Sequence, residues 1–255
     1  MTCYLRFMRI FPFLILVLVL VGCESSVAPA KVLPVTKEVS IDQLISEDQY
    51  NVALLVIPGT YNTELTAPMD IFQHTVYRDG IKSMNVFTVS NTSEPIKTFE
   101  GLTVIPDVDF TQTDIASEID ILVIPAAEHN LDSDLENEEL LQFIQQVDAV
   151  SAYTISHCDG AFMLAKAGVL ENRVSTTFPG DVASYKQMFP YLDVRDSVLF
   201  VHDGKYITSA GGAKSFEASL YLCELLYGKA KADELSKGMV IDWQLDELNY
   251  VVIEN

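Results

Sequence analysis

Two kinds of apolar pattern alternate along this chain. Short runs with no polar face fall at Asn51–Ile57, Met84–Val89, Ile121–Ile124 and Val150–Ile155. Such runs suit strands buried on both sides. Longer stretches carry apolar residues on one helical face. Asn137–Val147 is one, and Ser215–Tyr227 is another, with Phe216, Leu220, Cys223 and Tyr227 on a common side. A further helix begins near Ala230. Pro68 fits the first turn of a helix running toward Tyr77, which leaves Glu64 on the loop before it. Ile96–Ile105, centred on Glu100-Gly101, predicts a hairpin. Arg173–Thr177, Val198–Val201 and Tyr206–Ser209 predict short strands, with a turn at Asp203-Gly204. Strands alternating with helices imply an α/β domain, its mostly parallel sheet sandwiched by helices.

One stretch carries chemistry. Val150–Ile155 runs almost directly into the helix-prone Gly160–Ala167, with Ser156-His157-Cys158-Asp159 between them. A strand that turns straight into a helix strains its corner residue and exposes it at the carboxyl edge of the sheet. That is the geometry of a nucleophile elbow. Gly160 suits close strand–helix packing. The helix start would favour thiolate over thiol at Cys158.

The chain begins with a different pattern. Arg6 and Arg9 precede the apolar run Ile10–Val21, which is interrupted by Pro12 and ends in Leu20-Val21-Gly22-Cys23. This reads as a lipoprotein signal peptide over residues 1–22, with Cys23 as the lipidated new terminus. Residues 23–47, mixed in Ser, Ala, Pro, Lys and Val, read as a tether, with Ile41–Leu44 the first candidate for order. Residues 48–255 then form one domain. The expected location is the periplasmic face of a bacterial membrane, held there by lipid.

Charge narrows the partners. The chain carries −20, and loss of the leader makes it two charges more negative. Such a surface repels phosphate backbones, so nucleic acid is not an expected partner. Of four cysteines, Cys3 leaves with the leader and Cys23 takes lipid. Cys223 reads as core, so Cys158 is the candidate for chemistry. No Cys/His cluster has metal-binding spacing, and no metal or organic cofactor is expected.

An ordered set of motifs resembles the DJ-1/PfpI superfamily, with its flavodoxin-like, class I glutamine amidotransferase-like fold. The set is Val56-Ile57-Pro58 with Glu64-Leu65-Thr66-Ala67-Pro68, and Val123-Ile124-Pro125. It continues with Ser156-His157-Cys158-Asp159-Gly160-Ala161, Ala167-Gly168-Val169-Leu170, Ser175-Thr176-Thr177 and Thr208-Ser209-Ala210-Gly211. It spans most of the domain and is most similar to the branch of isonitrile hydratases and the ligand-binding halves of AraC-type regulators. The chain ends shortly after Trp243, without the helix-turn-helix of those regulators.

The resemblance implies that Cys158 is the elbow nucleophile and Glu64 the acidic residue facing it. A thiolate beside it would push Glu64 toward its neutral form, ready to shuttle protons. The backbone amides of Asp159 and Ala127, in the Ala126-Ala127 loop, would form an oxyanion hole. Thr177 would line the site. Phe178 stands where many members carry a histidine, so His157 and His129 are candidates for an alternative imidazole. Asp159 adds a negative charge that would raise the Cys158 pKa. Homodimers are common in the superfamily, so one is allowed here.

Two functions follow. The first is a cysteine-nucleophile hydratase or hydrolase acting on a small electrophile: an isonitrile, a reactive aldehyde or an amide-like group. The second is a non-catalytic lipoprotein that binds a small ligand or senses oxidants through Cys158.

Overall fold

A computed structural model describes residues 41–254. The leader, Cys23 and most of the tether lie outside the described residues.

A single turn of helix, α1 (Ile41–Leu44), precedes β1 (Tyr50–Leu55), α2 (Asn62–Gln73) and β2 (Met84–Ser90). The hairpin β3 (Ile96–Lys97) and β4 (Thr103–Val104) leads to β5 (Val108–Asp109) and β6 (Ile121–Ile124). The elbow region follows: α3 (Glu138–Asp148), β7 (Tyr153–His157) and α4 (Gly160–Lys166). Next come β8 (Val174–Ser175), α5 (Val182–Met188), β9 (Asp193–Val194), β10 (Phe200–Asp203) and β11 (Tyr206–Ser209). The described chain closes with α6 (Ser215–Tyr227), α7 (Lys229–Gly238) and β12 (Tyr250–Ile253).

The main sheet has eight strands in the order β12-β10-β11-β7-β6-β1-β2-β5. Every neighbouring pair is parallel except β10 and β11. This is the mostly parallel, helix-covered sheet expected from the alternation of runs. Alternate residues of each strand enter opposite cores. Ala53, Leu55, Leu122 and Ile124 join α3 and α4 on one face. Val52, Leu54, Ile121, Val123, Ile155 and Ile207 join α2, α6 and α7 on the other. Both faces are buried, which is why these strands are apolar throughout.

Three local features differ from the expectation. The helix α2 starts at Asn62, so Glu64 lies in its first turn rather than on a loop, and Pro68 falls inside the helix. The early start is set by tertiary contact. The Tyr61 amide donates to the Ala126 carbonyl at 3.0 Å, and the Tyr61 carbonyl accepts from Leu65 at 3.2 Å. Tyr61 is thereby pinned as the extended residue before the first turn. The strand expected at Val198–Val201 is displaced to Phe200–Asp203, because the pairing of Asp203 with Tyr206 carries it up to the tight turn at Gly204. The edge strands β5 and β12, each very short, were not anticipated.

The register brings the carboxyl ends of β1, β6 and β7 side by side, with Leu54 beside Val123 and Val123 beside Ile155. The loops leaving that edge are stitched together. A bridge joins Thr60 to Ala127, and the Glu128 amide donates to the Gly59 carbonyl at 3.1 Å. Ligands of open parallel sheets bind at this edge.

Candidate active site

Cys158 occupies the strained corner. Its φ is +53°, in the left-handed region that L-residues avoid. Its amide is fixed to the Ser209 carbonyl at 2.9 Å. Two glycines make room for the turn. A Cβ at Gly160 would lie 2.2 Å from the Ile124 carbonyl oxygen. A Cβ at Gly211, whose φ is +75°, would lie 2.3 Å from the Cys158 Cβ. Gly160 therefore has the close-packing role inferred from the sequence. Gly211 closes over the cysteine from the end of β11 and was not singled out there. Backbone approach from that side leaves Cys158 only 7% exposed, where a bare thiol was expected.

Glu64 reaches the same spot from α2. Its Oε2 accepts from the Ala126 amide at 2.9 Å and its Oε1 from the Gly212 amide at 3.0 Å. Its charge bears on the Cys158 thiol, so the two groups inferred from the sequence are neighbours. Burial raises the thiol far above its ordinary range, and the charges of Glu64 and Asp159 add to this. The Asp159 amide, which donates to the sulfur, offsets only part of it. Burial also raises Glu64, against the pull of its two amides. Both groups are thus pushed toward their neutral forms, against the thiolate expected at Cys158. The short α4 helix does not outweigh desolvation.

Asp159 follows the cysteine, and its side chain turns away from α4 without capping it. Its Oδ1 lies 3.1 Å from the Thr177 hydroxyl, which is also 3.0 Å from the Cys158 carbonyl. Burial, followed by the neighbouring Asp181 charge, pushes the Asp159 pKa up to about 7. Thr177 is therefore at the site, beneath the elbow.

Other expected roles do not hold. The Ala127 amide is occupied by the Asn130 Oδ1 at 2.8 Å, and the Ala126 amide by Glu64. Neither is free to form an oxyanion hole, and only the Asp159 amide faces the reacting atom. His157 is wholly buried, with its Nδ1 against the Ser209 hydroxyl at 2.8 Å, and burial pushes its pKa down to about 3. It alternates with Cys158 onto the α2/α6 side of the sheet. His129 is a surface residue in contact with Asp132 at 3.2 Å. Neither supplies an imidazole to the thiol. Phe178, 44% exposed, lays its ring over Gly180, where a Cβ would lie 2.8 Å from the ring edge.

Sequence reasoning missed Asn130, Gly212 and Asp181. The pair Gly211-Gly212 after an apolar strand was a signal for a backbone that must pass close to something. Asn130, three residues after Ala127, fits a side chain folding back on its own loop. Among the described residues, no group of three or more His, Cys, Asp or Glu is placed to hold a metal ion.

Comparison with known proteins agrees with this arrangement. A sequence profile of the DJ-1/PfpI family matches residues 50–225. The Drosophila melanogaster protein dj-1beta is 25% identical over 190 residues, 74% of this chain and 95% of that protein. The isonitrile hydratase of Pseudomonas putida is 26% identical over 180 residues, 69% of this chain and 72% of the hydratase. The crystal structure of Drosophila DJ-1beta superposes with a TM-score of 0.66 at 22% identity, covering 76% of this chain and all of that one. An AraC family transcriptional regulator from Pseudomonas putida superposes with a TM-score of 0.65 at 21% identity, covering 74% and 99%. With its elbow cysteine, the carboxyl facing it and a family match over most of its length, this chain belongs to the DJ-1/PfpI family.

Proposed function

We propose that the protein is a cysteine-nucleophile enzyme, a hydratase or hydrolase acting on a small electrophilic carbon. The observation that carries this reading is an elbow cysteine held at φ +53°, with the neighbouring Glu64 carboxyl fixed at both oxygens by backbone amides. In this reading Glu64 exchanges the thiol proton. As sulfur bonds to the carbon, the S–H proton passes to Glu64, and water later releases the adduct. An isonitrile hydratase among the relatives supports an isonitrile, aldehyde or amide-like substrate. The test is turnover by wild type and Cys158→Ala of isonitriles, dicarbonyls and small amides. Equal behaviour of the two proteins on every compound overturns the reading.

The alternative, oxidant sensing or ligand binding without turnover, has less support. Peroxide attacks exposed thiolates, and this thiol is buried and protonated. Mild peroxide should leave Cys158 unoxidised by mass spectrometry.

Export and lipidation at Cys23 belong to the same proposal and rest on residues 1–23. Metabolic labelling with an alkynyl fatty acid should mark the full chain and not a Cys23→Ala variant. A homodimer is the corresponding proposal for assembly, read by sedimentation of the domain.

A further inference from the structure

The end of α7 carries a residue that the fold does not ask for. The Val240 amide donates to the Lys237 carbonyl at 3.2 Å, and the Ile241 amide to the Ser236 carbonyl at 2.8 Å. That pair of bonds is a common close of a helix, and it puts Val240 at a left-handed position usually given to glycine. The φ of Val240 is +58°, a strained value for a β-branched residue. Its side chain is 94% exposed, so no packing offsets the strain. The 3-10 turn His74–Tyr77, which follows α2, is tied to this end of α7. Arg78, next after the turn, donates from Nη2 to the Glu234 carbonyl at 3.0 Å. A Cβ at Gly238 would lie 2.5 Å from the same nitrogen. Between the two segments is a hollow of about 460 Å³, lined by Tyr77, Arg78, Asp79, Lys231, Glu234 and Lys237. Tyr77 at its edge is 72% exposed.

Positive charge collects at the same place. Five of the sixteen basic residues, Arg78, Lys82, Lys229, Lys231 and Lys237, fall in segments 78–82 and 229–237. The acids there are Asp79, Asp233 and Glu234, so the surplus is positive on a chain whose total is −20. Lys229 pairs with Asp233 and Lys231 with Glu234, each at 2.9 Å. Among the described residues, Arg78, Lys82 and Lys237 are in no ion pair. The Arg78 Nε, shielded from solvent, has no hydrogen-bond partner among them either. The chain also enters the domain nearby. The loop after Arg78 leads to the amino end of β2. There the Tyr50 amide donates to the Ser83 carbonyl at 2.9 Å, and the Asn85 Nδ2 to the Leu44 carbonyl at 2.6 Å. Exposed apolar tips among cations suit a bilayer interface, where the tips enter the headgroup layer and the cations meet phosphate.

We propose that this edge of the domain, built on Tyr77, Arg78, Lys237 and Val240, docks on an anionic phospholipid bilayer. The Val240 side chain and the Tyr77 ring enter the headgroup layer. Arg78, Lys82 and Lys237 meet lipid phosphates, with the hollow open to a headgroup. The proposal goes beyond the enzymatic reading. From the lipidation reading it takes only that a bilayer lies within reach of the tether.

Docking by this edge sets the orientation of the active site. Glu64 lies in the first turn of α2, and the turn bearing Tyr77 follows its last. The twelve residues of α2 separate the two by about 18 Å. With the Tyr77 end on the lipid, the Glu64 end faces away from it, toward substrates dissolved in water.

The experiment places the full chain on two kinds of vesicle, phosphatidylcholine alone and phosphatidylcholine with about one-third phosphatidylglycerol. A water-confined acetylating reagent marks exposed lysines, which are read by peptide mapping. On the anionic vesicles, labelling of Lys237 should fall about fivefold relative to the neutral ones. Lys186, in α5 on the other face of the sheet, should not change. Salt at about 0.5 M should restore most of the labelling. Val240→Gly puts the favoured residue at the left-handed position. It should raise the melting temperature and yet remove about half of the Lys237 protection. Tyr77→Ser should remove a similar share, and the two changes together nearly all of it. Equal labelling of Lys237 on the two vesicles overturns the proposal, as does protection that survives in the double variant. Protection by soluble polyglutamate but not by anionic vesicles also overturns it, in favour of an acidic protein partner. Failure of the lipidation reading looks different: the chain then takes up no fatty acid, while the anionic vesicles still report on Lys237.

Discussion

Two cysteine thiols lie among the described residues, and both are buried. Cys158 is 7% exposed and Cys223 is fully enclosed. Burial is the largest effect on each thiol, and it raises both. Their surroundings otherwise have little in common. Cys223 sits in regular helix in α6, within the apolar cluster that includes Leu220, Leu222 and Ile155. Cys158 is held at positive φ, with the acidic groups Glu64 and Asp159 bearing on its thiol. Burial therefore does not separate an inert cysteine from a chemical one. What separates them is whether a proton acceptor is buried with the sulfur, and whether the backbone is strained to bring the two together.

The contrast can be tested at several strengths. The largest effect should be in alkylation of the native protein. Cys158 should react with iodoacetamide about 100-fold or more faster than Cys223, because opening the α6 core requires near-global unfolding. Equal rates in peptide mapping would erase the distinction. Next is the strain itself. Gly211→Ala should lower stability by about 3 kcal/mol, combining the cost of positive φ with overlap on the Cys158 Cβ. Denaturant unfolding reads this loss.

A smaller effect comes from Glu64→Gln. The thiol loses a negative neighbour and its acceptor, so the pH midpoint of Cys158 alkylation should move down by about one unit. Cys223 should not move.

The smallest effect is a pair of opposing pH slopes in stability. Asp159 titrates near pH 7 in the native state against 3.8 for the free group. The unfolded chain thus releases this proton first, and the native state loses stability as pH rises through that window. Above about 7 there is no further change. His157 acts in reverse. Its native pKa of about 3 lies below the free value of 6.5. Its contribution is full above 6.5 and is lost as pH falls toward 3. Asp159→Asn should flatten the first slope by on the order of 1 kcal/mol, because the group is only partly screened from water. Thermal melts from pH 4 to 8 measure it.

Much of this molecule can be read directly from its residues. The runs at Asn51–Ile57 and Ile121–Ile124 are apolar throughout because both faces of their strands are covered. The elbow is legible because a β-prone run meets a glycine two residues after a cysteine, which leaves little space for anything but a sharp turn. Glu64 was legible only through resemblance, since nothing local distinguishes it from a surface acid. The burial of Cys158 was not legible. Gly211, more than fifty positions later, packs against its Cβ and backbone. The fate of the Ala127 amide was hidden for a similar reason: Asn130 competes for it at short range, and loop geometry decides the outcome.

The carboxyl of Glu64 joins amides separated from it by 62 and 148 positions along the chain. The site is therefore complete only when three distant segments of the chain have docked. Until they do, Cys158 lacks the carboxyl that stands beside it in the folded domain.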